Sequence, residues 1–434
     1  MKYSVITFGC RVNQADSLGF EEQLRTAGAE SASPQAADLV IVNTCSVTAT
    51  ADQGARQTIR RIARENPLAR IVVTGCYATR RPDEVAALPN VVRVIPNDDK
   101  PRMMSFVSGV GPIGDGPCGA TIEPGVAGRT AFTLRVQTGC SEPCSYCIIP
   151  ATRGRPRSLA PDDILREVER VASSGFKEIV LTGVHLGSYG RDLDSGRSLV
   201  DLLASLDRWS ATTPDARSAS AERVLFRVSS LEPMDCSPRI VDLVANSTVF
   251  ASHFHLPLQH ASNRVLSAMR RPYTIEYYSS LVDDIRARIP NASIGSDIIV
   301  GFPGETDDDF GRLTSYLERS PLTHIHVFPY SDRPGTPAST MPGKVAGTAV
   351  RERGRRVREI GQRLTQCFRE SQVGTTHCAL TLEDGSLAVT GNYLKVRLPP
   401  GRVRNEWITV DVTGAGDPMV GVCRGSTGET SHVC

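Results

Sequence analysis

The sequence predicts an α/β protein with an N-terminal open parallel α/β sheet, a central partial (β/α)6 barrel and a C-terminal small β-barrel. Short apolar runs alternate with helical patterns through most of the chain, which is typical of parallel sheets with right-handed crossovers. Segments rich in Gly and Pro interrupt this alternation at 108–129 and 333–347. From Gln372 onward only short, Gly-punctuated strand patterns remain, which favours a small all-β unit there.

Composition narrows the class of protein. The chain has 434 residues, about three times a typical domain, with 40% hydrophobic and 22% charged residues, which excludes a disordered, collagen-like or coiled-coil chain. A net charge of +2 means that any attraction to nucleic acid must come from local patches. No run approaches the roughly 18 apolar residues of a membrane span, and the first residues do not resemble a secretory signal. We therefore expect a cytoplasmic protein without membrane contact, whose twelve cysteines serve metal or redox chemistry.

The interruptions divide the chain into five segments. We expect an N-terminal α/β domain, a Gly/Pro linker, a barrel, an Arg-rich connecting helix, and a β-strand domain with its tail, over residues 1–107, 108–130, 131–345, 346–371 and 372–434.

In the first segment, strands are predicted at 3–8, 39–42, 71–74 and 91–95, with helices near 17–27 and 50–65. Cys10, Cys45 and Cys76 each follow a predicted strand, at separations of 35 and 31 residues. The carboxyl ends of parallel strands line one crevice, so these thiols can converge there. The alternative is three separate buried cysteines.

The third segment carries repeated βα patterns. Repeated βα units predict a parallel sheet curled as a partial or full barrel, with an active site at the carboxyl ends of its strands. Strands are predicted at 133–137, 178–182, 224–228, 253–258, 294–300 and 324–328, and helices near 161–174, 199–209, 274–289 and 307–318.

The loop after the first of these strands contains Cys140, Cys144 and Cys147. Three cysteines within eight residues can surround one metal centre in a single loop. A structural zinc site needs four protein ligands, and no fourth Cys or His stands nearby in the sequence. Zinc with a remote fourth ligand stays open as the alternative.

These residues also carry a family resemblance. The spacing Cys140-x-x-x-Cys144-x-x-Cys147 resembles the cluster motif of radical S-adenosylmethionine (SAM) enzymes, and its surroundings resemble the methylthiotransferases. The resemblance spans nearly the whole chain. It is carried by segments 7–14, 42–45, 73–76, 137–154, 181–184, 227–233, 256–259, 297–306 and 327–331.

The resemblance implies an enzyme with two 4Fe-4S clusters and SAM. The loop thiols would hold the cluster that binds and cleaves SAM, whereas Cys10, Cys45 and Cys76 would hold a second cluster that carries the sulfur to be inserted. A further SAM would supply the methyl group of the methylthio product. By position, Ser230, Glu232 and Gln259 would contact SAM; alternatively, they satisfy backbone groups at the barrel mouth.

The substrate branch is suggested by two motifs. Residues 9–14 and 147–150 most resemble the branch that modifies N6-threonylcarbamoyladenosine next to the tRNA anticodon. Isopentenyladenosine in tRNA, an aspartate of a ribosomal protein, and a non-catalytic RNA-binding protein with Fe-S clusters are the alternatives. Within the motif, Arg11 and Asn13 either contact the substrate or shape the cluster loop. The implied partners are tRNA, an electron donor of flavodoxin or ferredoxin type and a sulfur source, with no stable protein partner.

The C-terminal segment resembles a TRAM domain, a small β-barrel that binds RNA, at residues 391–396. We expect Lys395, Arg397, Arg402 and Arg404 to meet RNA. The stretch 351–369 has seven Arg against two Glu, so it either contacts phosphate or forms ion pairs along a solvated helix. The same two interpretations apply to Arg56, Arg60, Arg61, Arg64, Arg153, Arg155 and Arg157.

Other candidate ligands have no supporting pattern. Two histidine pairs each share a strand face, but no carboxylate or Cys lies near them in sequence, so packing or hydrogen-bonding roles are expected for His253, His255, His324 and His326. The remaining cysteines follow no ligand spacing and are treated as ordinary residues: Cys118, Cys236, Cys367, Cys378, Cys423 and Cys434. Residues 260–263 also depart from the family's Ser-Gly-Ser-like turn, and Leu159 stands where the family commonly has a basic residue.

Overall fold

The computed structural model describes residues 1–107, 122–125, 129–194, 196–212 and 223–424. The predicted linker lies mostly outside these ranges, as do Cys118 and Cys434. No helix in the described part is long and apolar enough to cross a membrane.

The first domain is a five-stranded parallel sheet with helices on both faces. Its elements are β1 (Lys2–Thr7), α1 (Arg11–Thr26), β2 (Glu30–Ser31), β3 (Leu39–Thr44), α2 (Ala49–Glu65), β4 (Arg70–Gly75), α3 (Cys76–Arg80), α4 (Pro82–Ala86), β5 (Val91–Ile95) and α5 (Met103–Val107). The strand order is β2-β1-β3-β4-β5. The central strand β3 is buried along its whole length, as expected for a parallel strand covered on both faces.

Helix α1 begins directly after Cys10, well before the predicted start near residue 17. Its first turns bury Asn13 and Asp16, which bind polar partners in the interior. Polar side chains on the buried face conceal the apolar periodicity that would mark this part of a helix.

Six parallel strands form the partial barrel, as two three-stranded sheets with orders β10-β9-β6 and β11-β12-β13 that are joined at the Phe226–Phe250 bridge. The strands are β6 (Phe132–Arg135), β9 (Glu178–Thr182), β10 (Leu225–Val228), β11 (His253–His255), β12 (Ser293–Val300) and β13 (His324–Pro329), and a separate antiparallel pair consists of β7 (Gln137–Thr138) and β8 (Arg157–Ser158). The helices are α6 (Ile149–Arg153), α7 (Pro161–Ser173), α8 (Leu199–Thr212), α9 (Pro238–Asn246), α10 (Asn263–Ala268), α11 (Ile275–Arg288) and α12 (Asp307–Arg319).

The outward strand faces and the helices build one large apolar core. Strand β11 is shorter than predicted, because it ends before Pro257, which has no N–H to donate. Helices α9 and α10 were absent from the predicted elements.

The long helix α13 (Gly347–Ser371) leads to a closed five-stranded barrel. Its strands are β14 (Thr376–Leu382), β15 (Leu387–Thr390), β16 (Lys395–Arg397), β17 (Trp407–Gly414) and β18 (Met419–Cys423). This small barrel docks below the amino ends of the central strands. Trp407 Nε1 donates to the Arg223 carbonyl over 2.9 Å, and Asn392 Nδ2 donates to the Asn291 carbonyl over 2.9 Å.

Candidate active site

The structure brings Cys10, Cys45 and Cys76 together at the carboxyl end of the first sheet. Burial, with smaller contributions from the neighbouring thiols of Cys76 and Cys10, raises the pKa of the Cys45 thiol to about 11. The backbone at Gly9 has a φ of 91°, and a Cβ there would lie 2.6 Å from Cys45 Sγ. Only glycine therefore permits this approach between the two cysteine loops.

Asn13 and Arg11 have different roles at this loop. Asn13 is buried, and its Nδ2 donates to the carbonyls of Phe8 and Thr44 over 2.8 and 2.9 Å. It therefore shapes the backbone that carries the thiols. Arg11 instead extends toward the small barrel, where its Nη2 donates to Tyr393 Oη over 3.1 Å.

A buried charge network joins the first domain to the central barrel. Asp16 Oδ2 accepts from Lys100 Nζ over 2.5 Å, and its Oδ1 accepts from Arg135 over 2.6 Å. Arg153 Nη2 lies 3.4 Å from Asp16. Burial would raise the pKa of Asp16, but the three cations together hold it well below its usual value.

Cys76 lies against the central barrel. Asn97 Nδ2 is 3.7 Å from Cys76 Sγ and donates to the Thr152 carbonyl over 2.8 Å. Thr152 belongs to α6, which directly follows the loop of the second thiol set. The two thiol sets therefore belong to adjoining surfaces of the two domains.

The second set, Cys140, Cys144 and Cys147, lies in the loop between β7 and α6. Burial, with smaller contributions from Cys144 and Cys140, raises the pKa of the Cys147 thiol to about 12. The loop begins at Gly139, where φ is 76° and a Cβ would lie 2.0 Å from the Arg155 carbonyl oxygen. The structure thus brings these three thiols together as well.

Two buried cations flank this loop. Arg271 Nη1 donates to Cys144 Sγ over 3.2 Å, and its Nη2 pairs with Glu232. His185 lies beside Cys140, and its Nε2 is 2.8 Å from Asp235 Oδ2. Burial would lower the pKa of His185, but Asp235 and Cys140 raise it to about 10.

Sequence reasoning missed both cations. Arg271 belongs to none of the recognised motifs, and its partners are distant in sequence. His185 directly follows the segment 181–184, so that segment indicated the neighbourhood but not the residue.

The three residues expected at SAM lie at the carboxyl ends of the barrel strands. Glu232 is paired with Arg271 beside Cys144. Gln259, which has a φ of 69°, lines a cavity of about 190 Å³ together with Cys147. Ser230 is exposed and makes no side-chain hydrogen bond within the described part of the chain.

The same cavity is bounded by both domains. Val47 and Thr48, which closely follow Cys45, form one side, and Cys147 and Gln259 form the other. The cavity therefore separates the loops that carry the two thiol sets.

A polar wall continues from this cavity along β11, β12 and β13. Asp297 Oδ1 lies 3.0 Å from His255 Nε2 and 3.2 Å from His326 Nδ1. No carboxylate lies near these histidines in sequence, but β12 runs between their strands and supplies Asp297. Burial would raise the pKa of Asp297, but the two histidines hold it well below its usual value. These two contacts give His255 and His326 the expected hydrogen-bonding role.

The basic candidates divide into free and paired residues. Lys395 and Arg397 are exposed on β16, and neither forms an ion pair within the described residues. Arg402 pairs with Glu406, and Arg404 donates to the Glu383 carbonyl. On α2, the residues that are exposed and unpaired within the described chain are Arg60, Arg61 and Arg64.

Most arginines of α13 form ion pairs, chiefly with acidic residues outside the helix rather than along its solvated face. Those paired with acidic residues are Arg353, Arg355, Arg356, Arg363 and Arg369. Arg153 was wrongly grouped with the surface arginines, because it is 2% exposed in the network around Asp16. Arg56 and Arg157 pair with Glu84 and Asp98, and Arg155 is exposed.

Two family models match separate parts of the chain. Residues 2–96 match the uncharacterized protein family UPF0004, and residues 134–317 match the radical SAM superfamily. The chain is 36% identical over 410 residues to the threonylcarbamoyladenosine tRNA methylthiotransferase MtaB of Aquifex aeolicus, covering 92% of this chain and 96% of that protein. The chain belongs to the MtaB-type radical SAM methylthiotransferases.

Other relatives of this radical SAM methylthiotransferase are similarly distant. The MtaB protein of Bacillus subtilis is 34% identical over 372 residues, covering 83% of this chain and 80% of that protein. The tRNA-2-methylthio-N(6)-dimethylallyladenosine synthase of Pelotomaculum thermopropionicum is 32% identical over 396 residues, with coverage of 86% and 85%. The radical SAM methyltransferase TsrM of Kitasatospora setae has a TM-score of 0.55 at 17% identity, covering 78% of this chain and 77% of that chain, which supports the fold alone.

Membership of the radical SAM superfamily implies one 4Fe-4S cluster and SAM. The loop of Cys140, Cys144 and Cys147 fits such a cluster, because three soft thiol donors converge there and leave one iron without a protein ligand. The cations of Arg271 and His185 beside the thiols would balance the negative charge of a ligated cluster.

Proposed function

We propose that this protein is a tRNA methylthiotransferase that converts N6-threonylcarbamoyladenosine next to the anticodon to its 2-methylthio derivative. The observation that carries the proposal is that two clusters of three thiols, from different domains, lie on either side of one cavity that Val47 and Thr48 bound from one domain and Cys147 from the other. Relatives with this name at 36% and 34% identity over most of the chain support the choice of substrate.

In this proposal each thiol set holds one cluster. Cys140, Cys144 and Cys147 bind the radical SAM cluster, and a second 4Fe-4S cluster is bound by Cys10, Cys45 and Cys76. The first thiol set, Cys10, Cys45 and Cys76, fits because its three thiols interact closely and Gly9 permits their approach. When bound, the clusters and SAM supply the radical, the inserted sulfur and the methyl group.

The chain's own residues orient SAM and the substrate base. Glu232, Gln259 and Ser230 lie around the barrel mouth, where SAM would bind the radical SAM cluster. Glu232 is held in place by Arg271. The cavity walls beside Cys147 are largely apolar, with Ile148 and Ile149 among them. Such walls exclude water, which protects a reactive radical from side reactions.

The tRNA would contact basic surfaces on two domains. Arg60, Arg61 and Arg64 on α2 offer three guanidinium groups that no acidic residue of the described ranges pairs with, and Lys395 and Arg397 offer charges on the small barrel. Arg402 and Arg404 would add to the latter surface. A flavodoxin or ferredoxin type electron donor and a sulfur source complete the set of partners, and no stable protein partner is required.

Nucleoside mass spectrometry of tRNA from a host that lacks the activity tests the proposal. Expression of the gene should produce 2-methylthio-threonylcarbamoyladenosine, and Cys45→Ala should abolish the product. Cys367→Ala is the matched control, because Cys367 is exposed and lies outside both thiol sets. Modification of isopentenyladenosine instead, or SAM cleavage with unchanged tRNA, would contradict the proposed substrate.

A further inference from the structure

Arg11 stands at the meeting point of three domains. It directly follows Cys10, and its side chain reaches Tyr393 of the small barrel. The Tyr393 ring in turn lies 4.9 Å from the His253 ring of the central barrel. Any group bound by Arg11 would therefore lie between the first thiol set and the polar wall of the barrel.

Tyr393 contacts a second arginine that is not free to bind a ligand. Arg227 lies 4.7 Å from the Tyr393 ring, is 1% exposed, and donates its Nε to Glu178. Its two terminal nitrogens donate to the carbonyls of Gly391 and Thr390. All three of its nitrogens are thus hydrogen-bonded, and two of them hold the loop that carries Tyr393.

Arg11 differs in this respect. Within the described part of the chain, Tyr393 Oη is the single hydrogen-bond partner of its side chain. A guanidinium has five N–H donors, so most of those on Arg11 are available to a ligand. The side chain is only half-buried, so these donors are not enclosed by the protein.

The loop that presents Tyr393 is firmly built. Tyr393 has a φ of 67°, a conformation that costs energy for a residue with a side chain. Asn392 fixes the loop, because its Nδ2 donates to the Asn291 carbonyl and to Gln372 Oε1, over 2.9 and 3.0 Å. Strain held in place by specific hydrogen bonds is characteristic of functional positions.

The proposed substrate offers a matching group. The threonylcarbamoyl substituent ends in a carboxylate, which a guanidinium binds through two parallel hydrogen bonds. In the adenine ring, C2 and C6 both adjoin N1, so the N6 substituent lies on the same edge as the carbon that receives sulfur. A residue next to Cys10 is therefore within reach of that substituent when C2 faces the first thiol set.

We propose that Arg11, held by the Tyr393 hydroxyl, binds the carboxylate of the threonylcarbamoyl group and thereby selects this substrate. The inference rests on the proposed function and deepens it. An apolar substituent on N6 would leave the Arg11 donors without a partner, which is the kind of penalty that gives strong discrimination. Asn13 is unsuited to this role because its side chain is used within the loop.

The test compares two anticodon stem-loop RNAs, one with threonylcarbamoyladenosine and one with its methyl ester. The parent enzyme should prefer the carboxylate RNA by about 100-fold in kcat/KM. Arg11→Gln should lose most of this preference. Its kcat/KM for both RNAs should be close to that of the parent enzyme with the methyl-ester RNA. Arg11→Lys should keep part of it, because a lysine retains the charge without the fork.

Tyr393→Phe provides a second variant, since Tyr393 lies on another domain from the thiols and loses only its hydroxyl. It should reduce the preference about tenfold while iron content and the cluster EPR signals stay parental. Parental preference in both Arg11→Gln and Tyr393→Phe would overturn the inference. If the parent cleaves SAM but modifies neither RNA, the proposed function itself fails, which is a distinct result.

Discussion

The guanidinium of Arg271 donates to the thiol sulfur of Cys144 over 3.2 Å, while its other terminal nitrogen pairs with Glu232. The Arg271 side chain is 2% exposed, so solvent does not screen this charge. Hydrogen bonds and positive charge at cluster sulfurs tune the reduction potential. The same arginine therefore links a proposed cluster ligand to a residue expected at SAM.

Arg271→Met should make the reduction potential of the radical SAM cluster more negative, because the reduced cluster carries the extra negative charge that Arg271 stabilises. The potential of Arg271→Lys should lie between those of Arg271→Met and the parent. The potentials are measured by redox titration followed by EPR. Arg239→Met is the matched control, since Arg239 is exposed on α9. An unchanged potential in Arg271→Met would show that the contact does not act on the cluster.

The two thiol sets should bind iron independently. Replacing Cys140, Cys144 and Cys147 together by Ala should leave about half of the iron and sulfide, and the same should hold for Cys10, Cys45 and Cys76. Chemical analysis and Mössbauer spectra after anaerobic reconstitution measure the content. Cys367→Ala should retain all of it. A complete loss of iron in either triple variant would contradict two separate clusters.

We expect His260 to lower the stability of the barrel as the pH falls. It is fully buried, its Nδ1 accepts from the Ser262 N–H over 3.0 Å, and burial lowers its pKa to about 4. Glu305 does not stabilise a protonated His260, because its carboxylate is paired with Arg353. The unfolded chain, with a His pKa of about 6.5, therefore takes up a proton first as pH falls.

The stabilising effect of neutral His260 is fully present above the unfolded pKa and is lost as pH falls toward 4. Between pH 7.5 and 5.5 the free energy of unfolding should fall by about 1 kcal/mol from this group alone. His260→Asn keeps an acceptor for the Ser262 N–H but does not titrate. Denaturant unfolding at the two pH values measures the free energy of unfolding. Its decrease from pH 7.5 to 5.5 should be about 1 kcal/mol smaller in the variant than in the parent, and equal decreases would exclude this role.

Arg61 on α2 should contribute to tRNA binding through phosphate. Arg61→Gln should weaken binding of all tRNAs similarly and reduce the slope of log affinity against log salt by about 1. The measurement is tRNA affinity at several salt concentrations. Arg312→Gln is the control, because Arg312 is exposed on α12 and pairs with Asp308. A parental slope for Arg61→Gln would remove α2 from the binding surface.

Much of the fold was predictable because it depends on local patterns. Four of the five strands of the first sheet and the six barrel strands follow from short apolar runs between helical periods, whereas the two-residue strand β2 has no such run. Strand β17 is absent from the predicted elements even though Ile408, Val410 and Val412 alternate with polar residues. Its signal was therefore present in the sequence.

The candidate site was predictable only for residues with a spacing pattern. The six thiols have such a pattern, but Arg271 approaches Cys144 across 127 positions of sequence, and no local signal marks it. Asp297 likewise meets His255 and His326 only because three strands lie side by side. The sequence also could not show that Asn13 shapes the loop while Arg11 reaches away from it, because the two roles differ only in the partner that each side chain contacts in the fold.

The charge network around Asp16 has a consequence for how a large RNA can be accommodated. Moving the first domain away from the barrel would separate Asp16 from Arg135 and Arg153, so that Asp16 would keep only Lys100 and the buried Arg153 would lose its carboxylate partner. Breaking a buried ion pair in this way costs about 3–5 kcal/mol. The two domains should therefore stay together as one rigid body during catalysis, with a fixed spacing between the thiol loops. The anticodon loop must then unstack its modified base and insert it into a preformed cleft, so the RNA rather than the protein changes shape.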